Sequence, residues 1–446
     1  MTHSLPEPAS AANDGQVQAS KKLKVLLVAD DCNPDWPSLP IVAYKYALAL
    51  GDVADVTIAT HVRNRPNLLR ARPDDARFVY IDNEWIAAPM NKLAMRLRGG
   101  KEVAWSVSVA MRYLPYLAFE WAVWRRFGPA LRAGDFDIVH RISPMTPTLP
   151  SLLAGRGKAK FVLGPLNGNL DWPAAFRKEQ TREKERLRGL RAFYRFLPYA
   201  RSTQRRSDLV LAAFPHTMAG LTEVRPGCLT NFPEIGYDPE IFHARGRRAP
   251  FSGPATFLYA GRLVPYKLPE AAIRAMAESV ALQAATLSIV GDGPERARLE
   301  ALTAQMGLGH RVRFEGRKSQ TEVAEAMRAA DALVFPSIRE LGAGIVIEAM
   351  ACGLPCIVAD YGAPGVLCGN GRGFTLPLAP LDAMVADVRQ TMESCLAKPN
   401  QAAARAAAAQ TYAEQNYTWA QKAAHTRTLY TQLRAGQPIA VEGLFP

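Results

Sequence analysis

ALVFPSIRELGAGIVIEAMACGLP, residues 332–355, reads as a strand, a loop and a helix. The run from Ala332 to Phe335 is short and wholly apolar, as suits a strand buried on both faces, and Pro336 ends it. A loop bearing Glu340 follows. Gly342, Ala343 and Gly344 then open a short helix that carries Glu348 and is ended by Gly353 and Pro355. Small residues at a helix start leave backbone N–H groups bare, and the positive end of the helix dipole faces outward there. Glu340 lies outside the helix and Glu348 about one turn inside it, so both can flank a ligand at that terminus. Two carboxylates beside a phosphate site repel it unless they face hydroxyls, which makes a sugar ring the natural ligand. For either glutamate alone the alternative is a solvated charge at a helix end.

The same strand–helix alternation extends in both directions. Short β-rich apolar runs fall at 24–29, 55–60, 78–81, 137–142, 160–164 and 208–212, and again at 256–259, 286–290, 312–314, 332–335, 356–359 and 373–376. Two such series predict an α/β protein with two parallel sheets, each covered by helices. The length agrees: 446 residues exceed the roughly 250–300 that one core supports. Between the series, the stretch from Asn231 to Gly253 is rich in Pro, Gly and Arg and lacks a period, as a linker would be. The expected organisation is a disordered leader over 1–21, a first domain over 22–235, a linker over 236–253, a second domain over 254–400 and a C-terminal helix over 401–434. Ligands of such sheets bind beyond the carboxyl ends of the strands, so chemistry is sought there.

TFLYAGRLVPYK, residues 256–267, is a strand followed by Gly261 and then by Arg262 and Lys267. Two cations at a strand end suit a diphosphate, Arg as a fork and Lys as a point charge; a solvated pair is the alternative. SIVGDGPER, residues 288–296, has Arg296 where the dinucleotide fingerprint needs its third glycine, so nicotinamide binding is not expected. Gly291 and Gly293 read as turn residues, with Pro294 at the first position of a helix. The six cysteines form no pair of CxxC motifs, and no Asp-x-Asp follows a strand. Neither a zinc site nor a disulfide framework is predicted.

In this order and at these separations, the two-cation segment, the SIVGDGPE turn and the Glu340/Glu348 pair resemble retaining nucleotide-sugar glycosyltransferases of family four, with the two-Rossmann GT-B architecture. The resemblance covers residues 256–376 and extends more loosely over the first half. It implies that Gly261, Arg262 and Lys267 hold the donor diphosphate. Glu340 with the amides of Gly342, Ala343 and Gly344 would position the transferred sugar, Glu348 would bind the ribose, and the loop at Arg317 and Lys318 would receive the base. His140, in DIVHRISP, would stand on the acceptor side together with GPLNGN, residues 164–169. From Asp30 to Pro40 the sequence DDCNPDWPSLP stands where such enzymes usually carry a glycine pair. The implied donor is a UDP- or GDP-sugar, with no obligatory metal or other cofactor.

The net charge of +13 favours an anionic partner. From Arg177 to Arg206 there are eleven Lys and Arg against three acidic residues, interleaved with Phe193, Tyr194, Phe196 and Tyr199. The region 92–127 adds Trp105, Tyr113, Tyr116, Trp121 and Trp124 among basic residues. Both suit an anionic membrane surface, with a buried amphipathic helix as the alternative. No nucleic-acid module accompanies the charge. There is no secretory signal pattern and no long apolar span, so a cytoplasmic protein, peripheral on the inner face of the plasma membrane, is expected.

The sequence thus predicts transfer of a hexose, with retention, to a hydroxyl acceptor such as a lipid-linked or polysaccharide precursor. A nucleotide-sugar 2-epimerase and a catalytically silent membrane-bound assembly subunit are the alternatives.

Overall fold

The structure is a computed structural model that describes residues 22–97, 105–176, 197–439 and 445. The first sheet contains β1 (Lys24–Ala29), β2 (Asp55–His61), β3 (Phe78–Ile81), β4 (Ile138–Ser143), β5 (Lys160–Leu166), β6 (Leu209–Ala212) and β7 (Leu229–Asn231), in spatial order 3-2-1-4-5-6-7. The second contains β8 (Thr256–Ala260), β9 (Thr286–Val290), β10 (Val312–Gly316), β11 (Ala332–Phe335), β12 (Cys356–Ala359) and β13 (Phe374–Leu376), in order 10-9-8-11-12-13. Every pairing is parallel. Parallel strands need helices on both faces, which is why β1, β11 and β12 are almost wholly apolar and buried. In each sheet the strand order reverses beside a central strand, between β1 and β4 and between β8 and β11, and these are the crevices where ligands enter open α/β sheets.

Helices of the first half are α1 (Leu39–Val53), α2 (Arg65–Ala71), α3 (Glu84–Leu97), α4 (Trp105–Ala133), α5 (Ala200–Arg206) and α6 (Phe214–Met218). In the second half α7 (Pro269–Ala277), α8 (Arg296–Gln305), α9 (Gln320–Ala329), α10 (Gly344–Ala351) and α11 (Gly362–Cys368) follow strands, and α12 (Leu381–Ala397), α13 (Pro399–Asn416) and α14 (Trp419–Arg434) end the chain.

Two details differ from the sequence reading. A seventh strand, β7, pairs with β6; its three residues are too few to show alternation. The expected single helix over 401–434 is two helices, because the Thr418 hydroxyl accepts from the Gln421 N–H at 3.1 Å and starts a new helix. The linker crosses at this break, where the Tyr237 N–H donates to the Tyr417 carbonyl at 2.9 Å.

Helix α14 lies on the first sheet's side. Its buried Thr426 shares a 2.6 Å hydrogen bond with Tyr46 of α1, while Leu429, Tyr430 and Leu433 are also buried. Covering one such side chain contributes roughly 1.5–3 kcal/mol. One apolar core therefore runs from β1 and α1 through Phe232, Tyr237 and Tyr417 into the second sheet. Residues 177–196 of the basic stretch lie outside the described residues.

Candidate functional site

After β8 the chain turns at Gly261, and a 3-10 turn, Pro265–Lys267, brings Lys267 back over the strand ends. After β11 the loop carries Ser337 and Glu340. The two loops are joined by backbone, the Ile338 N–H donating to the Tyr266 carbonyl at 2.9 Å. Lys267 Nζ consequently lies 2.6 Å from Glu340 Oε1, with both side chains 14% exposed. Ser337 Oγ donates to the same carboxylate oxygen at 2.8 Å, and the ammonium stands 4.8 Å from the centre of the Phe335 ring. Arg262 is exposed on the same loop and has no ion pair among the described residues.

SIVGDGPE is the buttress of this arrangement. Gly291 has φ +135°, and a Cβ there would collide with the Gly261 carbonyl oxygen, so only glycine fits. The Leu263 N–H donates to Asp292 O at 3.0 Å, and the Glu295 N–H to Leu263 O at 3.2 Å, which fixes the loop bearing Arg262 and Lys267. Pro294 lies in a turn, and α8 begins two residues later than expected, at Arg296. Arg317 is exposed after β10, while Lys318 pairs with Glu315 at 3.3 Å.

Helix α10 opens where Ala343 takes a left-handed backbone, φ 48° and ψ 45°, which costs a non-glycine residue about 1–2 kcal/mol. Gly342 just before it packs against the carboxylate of Glu234, where any Cβ would collide. Glu234 is buried, and its Oε1 accepts from Asn167 Nδ2 at 2.6 Å. Asn167 belongs to GPLNGN, so that segment reaches the α10 terminus through Glu234. Glu348, half-buried inside α10, makes no hydrogen bond or ion pair among the described residues. Burial pushes its carboxyl up to about 8, opposed by Lys45 of α1.

His140 is a correction. The residue is fully buried in β4, with Nε2 donating to the Gly164 carbonyl at 2.7 Å and Nδ1 accepting from the Tyr430 hydroxyl at 2.5 Å. Both ring nitrogens are thus spent on structure, and burial lowers the ring to about 4, so it stays neutral. It offers no atom to an acceptor.

Glu234 and the residues above the first sheet were not found from sequence. Glu234 is the one charge in the run from Asn231 to Tyr237, which is the only local sign of its role. At the end of β1, Asp30 and Asp31 share Arg112 of α4, at 3.3 and 2.5 Å. Burial, then Asp31, raises the Asp30 carboxyl to about 7 against the pull of Arg112. No cluster of metal-binding side chains occurs among the described residues.

Residues 242–410 match the family described as glycosyl transferases group 1. The 2-deoxystreptamine glucosyltransferase of Streptomyces kanamyceticus is 36% identical over 151 residues, 34% of this chain and 38% of that protein. The match therefore spans well under half of this curated relative. The solved sucrose-phosphate synthase of Thermosynechococcus elongatus superposes with a TM-score of 0.62 at 19% identity, covering 93% of this chain and 100% of the other. Anabaena HepE in complex with UDP gives 0.59 at 15% identity over 92% of this chain and 100% of the other. At such identities the likeness is one of fold. Residues 242–410 thus resemble the group 1 glycosyl transferases, and the chain as a whole has the two-sheet GT-B fold of these solved structures.

Proposed function

We propose that this protein moves a hexose from a nucleoside-diphosphate sugar to a hydroxyl acceptor, with retention of configuration. The observation that carries the reading is the Lys267–Glu340 pair at the strand ends, beside an exposed Arg262 and the bare start of α10. Charge develops on the departing diphosphate in such a transfer, and preorganised cations and amides stabilise it without reorganising. Lys267 and Arg262 supply the cations, and Gly342 to Gly344 the amides. Glu340 accepts from hydroxyls of the transferred sugar, Glu348 takes the ribose, and the exposed Arg317 loop borders the base. The solved HepE complex with UDP supports a uridine donor. The test is transfer from UDP-sugars by the wild type and by Lys267→Ala. Turnover unchanged in the variant overturns the reading, and an epimerised donor in the absence of acceptor would favour the epimerase.

The acceptor reading, a lipid-linked or polysaccharide precursor at an anionic membrane surface, rests on one patch. On α4, Arg125 lies 4.8 Å from the exposed Trp121 ring, and Arg132 and Arg156 flank Trp124 at 5.3 and 5.5 Å. Tyr113 joins this helix to the exposed Leu197 and Tyr199 region through a 2.9 Å bond to Pro198 O. No described helix is long and apolar enough to cross a membrane. Liposome sedimentation tests it: binding should need anionic lipid and weaken in Trp121→Ala with Arg125→Ala.

A further inference from the structure

After β5 the first domain sends out a short segment, Leu170 to Trp172, that meets three loops of the second domain. Its root is fixed on its own side. The Gly168 N–H donates to Thr217 Oγ1 of α6 at 3.1 Å, and Asn169 Nδ2 donates to the His216 carbonyl at 2.9 Å. Past the segment, Pro173 disfavours a helical backbone at Trp172, and a 3-10 turn, Ala174–Phe176, buries Phe176. The three residues between these anchors are therefore presented in one place rather than left loose.

Each of the three touches a different part of the second domain. Leu170 is buried beside Gly362 at the start of α11, where a Cβ would lie 2.9 Å from the Leu170 Cδ2. The Tyr361 hydroxyl donates to the Asp171 carbonyl at 3.0 Å. Trp172, 7% exposed, has the Tyr266 ring edge-on at 6.0 Å and the Arg339 guanidinium over its ring at 5.3 Å. Both separations lie in the range where aromatic pairs and cation–π pairs attract.

The neighbours of Trp172 decide what it does. Tyr266 immediately precedes Lys267, and Arg339 immediately precedes Glu340. Backbone ties between the two loops end at the Tyr266 carbonyl, which accepts from the Ile338 N–H at 2.9 Å and from Ser337 Oγ at 3.4 Å. Arg339 and Glu340 lie just beyond those ties. On the far side the Glu340 carbonyl accepts from the Ala363 N–H at 3.1 Å, next to the Gly362 that Leu170 covers. The stretch bearing Glu340 is thus held from the first domain on both sides, by Trp172 through Arg339 and by Leu170 through the start of α11. The same indole also rests on the residue before Lys267, so one side chain touches both loops of the pair.

We propose that Trp172 is a positioning residue for the donor site: from the first domain it sets the spacing of Lys267 and Glu340, and the site is complete only while its segment is seated. The proposal rests on the donor reading of that pair. The experiment records tryptophan emission of the full chain with and without UDP, for the wild type and Trp172→Phe. Their difference isolates Trp172 among the seven tryptophans. UDP draws Lys267 from Glu340 and so moves the loops against the indole, and the difference emission should be quenched or shifted. UDP affinity by calorimetry and UDP-glucose hydrolysis without acceptor are measured on the same samples. Trp172→Ala should keep UDP affinity within threefold and slow hydrolysis at least thirtyfold, since a misplacement of about 1 Å can cost about a hundredfold in rate. Trp172→Phe keeps a ring and should retain at least a third of the wild-type rate. If Trp172→Ala does not fold, Tyr266→Leu removes the other ring and should give the same split. A difference emission that UDP leaves unchanged, hydrolysis in Trp172→Ala within threefold of wild type, or an equal loss in Trp172→Phe overturns the proposal. Where the wild type leaves UDP-glucose intact, the emission arm decides alone. A wild type that binds no UDP would overturn the donor reading, and this proposal with it.

Discussion

Lys267 Nζ and Glu340 Oε1 are 2.6 Å apart, although they come from loops after two different strands, β8 and β11. The pair stores each charge in a form that a donor can exchange: a diphosphate takes the ammonium, and a sugar hydroxyl takes the carboxylate. Removing one partner should therefore have opposite effects on nucleotide affinity. Lys267→Ala is expected to weaken UDP at least tenfold. Glu340→Gln removes the competitor for Lys267 and should leave UDP affinity equal or higher while lowering transfer at least a hundredfold. Calorimetry with UDP, run beside a turnover assay, checks both, and a UDP affinity lost in Glu340→Gln would contradict the exchange.

Gly342 and Glu234 are coupled by space. A Cβ at 342 meets the Glu234 carboxylate, which is buried and held by Asn167, so it cannot swing into solvent. Gly342→Ala should displace the start of α10 and reduce transfer at least tenfold with a modest fall in melting temperature. Adding Glu234→Ala vacates the space and should recover a substantial part of the lost activity. A double variant no better than the single one would show that the glycine is needed for another reason.

His140 is expected to matter for stability rather than for turnover. His140→Phe deletes two buried hydrogen bonds, to Gly164 O and from Tyr430, and leaves both partners unpaired. The cost should be about 2–4 kcal/mol. Denaturant unfolding reads the loss, and kcat of the protein still folded should stay within about threefold of wild type. A kcat collapse with unchanged stability would return His140 to the acceptor side.

That contrast marks where sequence reading stops. Strands buried on both faces must be continuous apolar runs, and KVLLVA, ALVF and CIVA stand out for that reason. Lys267 and Glu340 were legible because each follows such a run, where a strand end meets a crevice. His140 lies inside its strand rather than after it, and its partner Tyr430 is 290 residues away, a separation at which no local pattern announces a contact. Glu234 was missed for the same cause: its meaning lies in Asn167 and Gly342, on two other segments.

Lys422 gives the protein a pH-dependent seam where α14 meets the linker. Its ammonium is wholly buried, donates to Pro233 O and sits 4.1 Å from the Phe232 ring and 5.0 Å from Phe445. Burial lowers it to about 7 from an ordinary 10.5, with Glu234 pulling the other way. Below about pH 7 the lysine is protonated both folded and unfolded, so its contribution is constant. Between about 7 and 10.5 the unfolded chain holds more protons, so stability from this residue rises with pH, by up to about 1.4 kcal/mol per unit. Lys422→Met removes that rise. Unfolding free energies of wild type and variant, measured in urea at pH 7, 8 and 9, should diverge steadily in favour of the wild type as pH increases. Parallel curves would mean that Lys422 keeps its ordinary proton affinity when buried, and that Glu234 or the Pro233 carbonyl fully compensates its charge.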